Sequence, residues 1–286
     1  MTGIFNSDDF PKIGLSRKEV LDSRWKSRRF VTKYDFDYHN FTKLEFVSKV
    51  YEILKSEGIC LVELSSVLSD NEFINLGEMF GVLIKENEND AIVNPYISKE
   101  FILNVVTNYS GHSSENAKPF LNSHLTLHTE CSKRTASNQP SYLMFMCLAP
   151  GTNSFSETVL IPTENIISEL SQSDKEILKN TYYFDGETPF LRDEDDSEVF
   201  SFRDFHPHPM QWRCEHSEST VTVQQVNEVL ARMMLAMYKK ENCSTIEWEK
   251  NLLMIVDNKK FFHGKKSSAN CETVEEARHI KRLRII

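Results

Sequence analysis

Apolar positions in this chain fall into short runs separated by polar, turn-forming stretches, and the spacing inside the runs changes along the sequence. Leu44, Val47, Val50, Tyr51 and Leu54 recur at the interval of one helix face. Thr42 and Glu45 form a capping-box pattern ahead of them, and Gly58 stands where such a helix stops. Ile59 to Leu64 reads as a strand. Ser69 and Glu72 make a second capping box, with Phe73, Leu76 and Phe80 predicting a helix that ends at Gly81. Strands are predicted over 102–106, 142–148, 158–161, 181–184 and 252–256, and again from Lys260 to His263 after an Asp257-Asn258 turn. Residues 163–180 read as helix, with Thr163 and Ser173 as caps. The longest helical pattern runs from Thr222 to Lys240 with Val226, Val229, Leu230, Met233, Met234 and Met237 as its apolar face. That methionine stripe reads as core packing. Residues 185–198 are acidic and turn-rich and read as a mobile loop, a candidate lid.

Many short strands with a few amphipathic helices imply an α+β chain, mainly β: a sandwich or jelly roll backed by helices. The expected layout is one domain over 1–286. It comprises an N-terminal arm (1–33), solvated or forming a short helix, a helix-strand-helix lead-in (42–81) and a jelly-roll core (100–286) with the helical insert 222–240.

Composition narrows the function classes. The chain has 286 residues, 40% hydrophobic and 26% charged, which allows an ordinary globular core. Its net charge is −9, from 33 basic and 42 acidic residues, which disfavours nonspecific nucleic-acid binding. No apolar run has the length of a membrane span, and the N-terminus lacks the pattern of a signal peptide. The six cysteines are scattered without a CxxC pair, so they read as free thiols of a cytoplasmic protein.

Candidate chemistry centres on Asn122 to Glu130. On a strand, His128 and Glu130 share a face and can bind one metal ion. A second histidine would complete a facial triad of the kind that holds Fe(II) with open positions. Of nine histidines, His263 is the best third ligand: it ends a predicted strand, and Gly264 after it would let the chain turn away from a crowded site. His206 and His208 form a rival cluster, but Pro207 and Pro209 make that stretch an irregular loop. His124, two pleats before His128, and Ser123 beside it are candidates to line the pocket. Arg278 and Arg282 lie four apart near a strand-like C-terminus, and planar guanidinium groups suit a carboxylate ligand in a partly dry pocket. Salt bridging in a charged tail is the alternative for both.

Three segments carry a resemblance: Leu127 to Glu130 with Pro140 to Leu148, Val256 to Lys265, and Arg278 to Arg282. Together they resemble the clavaminate-synthase-like branch of the iron(II)/2-oxoglutarate-dependent oxygenases, the TauD/TfdA-type superfamily, over about residues 45 to 286. The resemblance implies a double-stranded β-helix, a cupin-like jelly roll. It implies Fe(II) held by His128, Glu130 and His263, with 2-oxoglutarate and O2 as cosubstrates. Arg278 matches the arginine that grips the distal carboxylate of 2-oxoglutarate, Thr158 a threonine that assists it, and Arg282 a second pocket arginine and the fallback anchor. Arg203 and Asp204 resemble a patch that meets the polar end of an amino-acid substrate. The implied reaction is hydroxylation of an unactivated C–H bond of an amino acid or derivative, free or tethered to a carrier protein, in specialised metabolite biosynthesis. Desaturation or cyclisation on the same scaffold, a zinc hydrolase using the same triad, and an inactive jelly-roll binding protein are the alternatives. Lys265 where the family has arginine, and His279 where it has tryptophan, mark a divergent member.

Overall fold

A computed structural model describes residues 1–25, 31–35, 43–107, 115–151, 156–215, 221–268 and 277–286. Thr42, His39, His112, His216 and Cys271 lie outside these residues, as do residues 108–114 in the stretch leading to Ser123.

Two sheets carry the fold. The larger has seven strands in the order Lys33–Asp35, Ile59–Glu63, Leu252–Asp257, Tyr142–Ala149, His279–Ile285, Ile102–Val106 and Ile97–Ser98. All its pairs are antiparallel except the first. The smaller has four, in the order Ser244–Ile246, Thr158–Pro162, Phe261–Lys265 and Leu125–His128, all antiparallel. Leu160 and Ile246 from the smaller sheet meet Leu143, Cys147, Met254 and Ile280 from the larger in one apolar layer. This is the expected jelly roll.

Both sheets are also covered on their outer faces, which explains why their strands read as continuous apolar runs instead of alternating ones. In Tyr142–Ala149, Leu143 and Cys147 face the inter-sheet layer. Met144 and Met146 face the other way, against Val50, Leu54, Phe73 and Leu76 of the helices Lys43–Glu57 and Asp70–Glu78. Each such side chain withdrawn from water contributes about 1.5–3 kcal/mol. The smaller sheet's outer face meets the helix Val223–Met237, whose Met233, Met234 and Met237 are core residues as expected. Thr222 and Gln225 cap that helix reciprocally, as do Ser69 and Glu72 for Asp70–Glu78.

Four readings change. Residues 163–180 form two helices, Thr163–Ile167 and Gln172–Lys179. Ser171, not Ser173, caps the second through Asp174, and the Thr163 hydroxyl donates to the carbonyls of Lys259 and Lys260 instead of capping. The acidic stretch is a hairpin, Leu191–Glu194 with Ser197–Phe200. Asp195 and Asp196 both adopt positive φ in its two-residue turn, and Asp tolerates that conformation better than most residues. Asp193, Glu194 and Glu198 are engaged by Lys179, Lys259 and Lys175, and none of the hairpin's residues lines the cavity described below. Of the two readings of the N-terminal stretch, the short helix is present and the solvated arm is not: Thr2–Phe5 pairs with Met210–Cys214, and the helix Pro11–Leu21 buries Ile13, Arg17, Val20 and Leu21. Those positions have helical spacing, but one is an arginine, which hides the pattern in sequence. Gly264 does not turn the chain; it lies inside the strand Phe261–Lys265. A Cβ there would come within 2.6 Å of the Leu125 carbonyl, so glycine permits the close approach of the two strands that carry the histidines.

No helix among the described residues is long and apolar enough to cross a membrane.

Candidate metal centre

His128 closes the strand Leu125–His128, and His263 sits opposite it as its cross-strand partner. Their ring centroids are 4.2 Å apart. His128 Nδ1 lies 2.8 Å from the carbonyl of Thr126. A carbonyl only accepts, so Nδ1 carries the proton and the lone pair is on Nε2. Nε2 of His128 and Nε2 of His263 lie 3.7 and 3.9 Å from the same oxygen, Oε2 of Glu130. One ligand atom from each of the three residues falls within 4.8 Å of the others. No other group of histidine, cysteine or acidic residues among the described residues does so, His206 and His208 included.

The ordering of Glu130 is unlike that of the histidines. The strand stops at His128, so Glu130 is not on a regular pleat. Its backbone N–H donates to Oδ1 of Asn258 at 2.8 Å, and its other carboxylate oxygen, Oε1, accepts from Arg282 at 3.2 Å. Burial opposes ionisation of Glu130. The charges of Arg282, first, and Arg284 act against burial, and the carboxyl is held well below its usual range. Burial, with the nearby His128, holds His263 well below the ordinary histidine value, so it too presents a neutral lone pair. Two imidazole nitrogens and one carboxylate oxygen facing a common point are a complementary donor set for Fe(II) with open positions.

The three residues line a cavity of about 290 Å³. Arg278 lies on its wall, 5% exposed. It donates to the Ser156 carbonyl, and among the described residues its Nε has no hydrogen-bond partner and its guanidinium pairs with no carboxylate. Burial pushes it down to about 10, with only Cys147 acting against that. A guanidinium buried without a counter-ion is costly, which calls for an anionic ligand. Thr158 lines the same cavity; its hydroxyl accepts from Trp248 Nε1 at 3.1 Å, leaving its own proton to donate. Arg282, in contrast, is already matched. It donates to Glu130 Oε1 and to both oxygens of Glu86 at 3.0 and 3.3 Å. Glu130 and Glu86 together raise its pKa against the effect of burial. It braces the Glu130 carboxylate.

Of the residues expected to meet substrate, Arg203 lines the cavity and Asp204 does not. Asp204 accepts from Arg17 Nε at 2.8 Å, from the Tyr238 hydroxyl at 2.7 Å and from the His206 backbone N–H at 3.0 Å. It pairs with neither Arg203 nor an open site. His124 and Ser123 also lie off the cavity: His124 Nδ1 is 2.8 Å from Asp22 Oδ1, and Ser123 is exposed. Counting pleats back from His128 puts His124 on the cavity face only if the strand is regular. It begins at Leu125, and the pairing register shifts between His263 and Lys265. Glu86 and Asn258 went unnoticed in sequence. Asn258 carried only a turn signal, and Glu86 sits in irregular chain with no motif around it.

The Taurine catabolism dioxygenase TauD, TfdA family matches residues 22–284. No curated protein sequence matches the chain. Among solved structures, PvcB from Pseudomonas aeruginosa superposes with a TM-score of 0.64 at 15% identity, covering 92% of this chain and 90% of its own. An asparagine oxygenase, solved with Fe(II), 2S,3S-3-hydroxyasparagine and succinate, superposes with a TM-score of 0.61 at 12% identity, over 99% and 86% of the two chains. A taurine dioxygenase from Burkholderia xenovorans gives 0.62 at 12%, over 92% and 90%. Such identities speak for the fold, while the family match spans nearly the whole chain. The chain belongs to the TauD/TfdA dioxygenase family, as an oxidoreductase whose cofactors are Fe(II) and 2-oxoglutarate.

Proposed function

We propose that this protein, acting as one oxygenase domain over 1–286, hydroxylates an unactivated C–H bond of an amino acid or an amino-acid-derived small molecule. The observation that carries the reading is the pairing of the His128–Glu130–His263 cluster with a buried Arg278, which meets no carboxylate among the described residues, on one cavity wall. Iron with 2-oxoglutarate supplies the oxidising power: O2 is consumed, the cosubstrate leaves as succinate and carbon dioxide, and one oxygen atom enters the substrate C–H bond.

His128, Glu130 and His263 would hold the metal, and three protein ligands would leave it positions for small molecules. Arg278 gives a fixed fork to the distal carboxylate of 2-oxoglutarate, and Thr158 adds its hydroxyl proton. Trp248 fixes that proton's direction by occupying a lone pair of the same oxygen. Arg203, on the wall of the same cavity, meets the polar end of the substrate. The cavity's modest size suits a small molecule. The asparagine oxygenase among the similar folds, with its hydroxylated amino acid, supports the substrate class.

The test is aerobic incubation with Fe(II), 2-oxoglutarate and a panel of free amino acids and their derivatives. Succinate release with a product one oxygen atom heavier is the expected result. A product that has instead lost two hydrogens would replace hydroxylation by desaturation or ring closure. Arg278→Ala is expected to raise the KM for 2-oxoglutarate about 10- to 100-fold, since a hydrogen bond to a charged group contributes about 1.5–3 kcal/mol. The kcat at saturating cosubstrate should fall far less. An unchanged KM would remove Arg278 from the cosubstrate site.

A further inference from the structure

Glu130 faces two arginines, and that poses a problem for a metal ligand. Arg282 donates to Oε1 at 3.2 Å, and Arg284 Nη1 lies 3.8 Å from the same oxygen. A single carboxylate against two buried guanidinium groups would be spent as a salt bridge, and the surplus positive charge would repel a divalent cation. Glu86 removes the surplus. Its carboxylate, 4% exposed, takes both oxygens against Arg282 and accepts from Arg284 Nη2 at 2.9 Å. Two acids and two arginines then form a neutral cluster, and Oε2 of Glu130 is left facing His128 and His263.

The backbone under Glu130 has a similar need. The strand ladder ends at His128, and Cys131 turns the chain sharply with φ of 59°. Asn258, 3% exposed, takes over the role of a partner strand at this one residue. Its Oδ1 accepts from the Glu130 N–H, and its Nδ2 donates to the Glu130 carbonyl at 3.4 Å and to the Pro140 carbonyl at 3.0 Å. Only an amide of this length both accepts and donates there; a carboxylate would confront two carbonyl oxygens with negative charge.

We propose that Glu86 and Asn258 are positioning residues for the metal: Glu86 by neutralising Arg282 and Arg284 so that one oxygen of Glu130 stays available, and Asn258 by fixing the Glu130 backbone beyond the end of its strand. The proposal rests on the assignment of His128, Glu130 and His263 as the metal site. Neither residue touches the metal, and their effect is read in its affinity.

The experiment titrates the metal-free protein with Mn(II) alone, followed by electron paramagnetic resonance, with thermal unfolding run on every variant. The variants are Glu86→Gln, Asn258→Asp, His128→Ala and Glu198→Gln. Glu198 bridges Lys175 and Lys179 away from the cavity, so its substitution controls for loss of a carboxylate paired with two cations. Glu86→Gln and Asn258→Asp are each expected to weaken Mn(II) binding about 10- to 100-fold, the range seen when groups that orient a ligand are removed. Glu198→Gln should bind as the parent does. If Asn258→Asp fails to fold, Glu86→Gln still decides. Unchanged Mn(II) affinity in Glu86→Gln, with His128→Ala abolishing binding, overturns the proposal and leaves the metal site standing. Parent-like binding by His128→Ala overturns both.

Discussion

His128→Ala is expected to abolish tight binding of a divalent metal and to lower 2-oxoglutarate-dependent turnover at least about a thousandfold. A bound metal acting as Lewis acid and template contributes several kcal/mol to the barrier, and each 1.36 kcal/mol is a factor of ten. The loss should exceed that of Arg278→Ala, because added cosubstrate can offset a weakened anchor and added iron cannot rebuild a missing ligand. Surroundings sharpen the contrast. The His128 ring is fixed through its Nδ1–H to Thr126 and leans on His263 across the strand pair, so no neighbouring imidazole can swing into its place. His124, the nearest histidine in sequence, is engaged with Asp22. The fold should survive, because the His128 side chain lines a cavity. Metal affinity measured beside a melting curve tests the whole statement. A variant that melts normally and keeps a tenth of the parent's turnover would move the metal elsewhere.

What could be read from sequence follows from how local each signal is. The apolar runs Ile59–Glu63, Tyr142–Ala149 and Leu252–Asp257 were legible because strands buried on both faces need apolar residues at almost every position. The helices Asp70–Glu78 and Val223–Met237 were legible because capping boxes and apolar stripes lie within one element. His128 and His263 were legible too, since each stands on or at the end of a strand pattern and the pairing of those strands makes them neighbours. Everything that depends on partners far along the chain was hidden. Asp204 looked like a substrate contact because nothing near it in sequence announces Arg17, 187 residues away. Arg282 stood as the fallback cosubstrate anchor because Glu86, 196 residues away, carries no motif. The acidic stretch looked like a lid because its lysine partners Lys175, Lys179 and Lys259 lie outside it. Ion pairs between distant segments leave no periodicity, so composition there suggests solvent exposure where the fold supplies a counter-ion.

The Arg17–Asp204 pair yields the largest expected effect on stability. Its side chains are 3% and 2% exposed, and Arg17 Nε meets Asp204 Oδ2 at 2.8 Å. Arg17→Ala would leave a carboxylate inside the protein with, among the described residues, the Tyr238 hydroxyl and one backbone N–H as its remaining donors. Breaking a buried pair from one side costs about 3–5 kcal/mol, which for a chain of this size corresponds to a fall in Tm of roughly 5–8 °C. Asp204→Ala should cost a similar amount, by stranding the guanidinium instead. Replacing both partners, as Arg17→Met with Asp204→Leu, should recover much of the loss, because the penalty lies in the unpaired charge and not in the absence of the bridge. The pair also bears on the metal centre. The Asp204 carbonyl accepts from the Thr126 hydroxyl, and Tyr238 accepts from the Leu127 N–H at 3.2 Å while donating to Asp204. Both anchor the strand that ends in His128, so Arg17→Ala should weaken Mn(II) binding even below its melting point, whereas the double variant should regain stability ahead of metal affinity. Single variants that lose less than about 1 kcal/mol would mean that water reaches the pair, since only exposed bridges are worth so little.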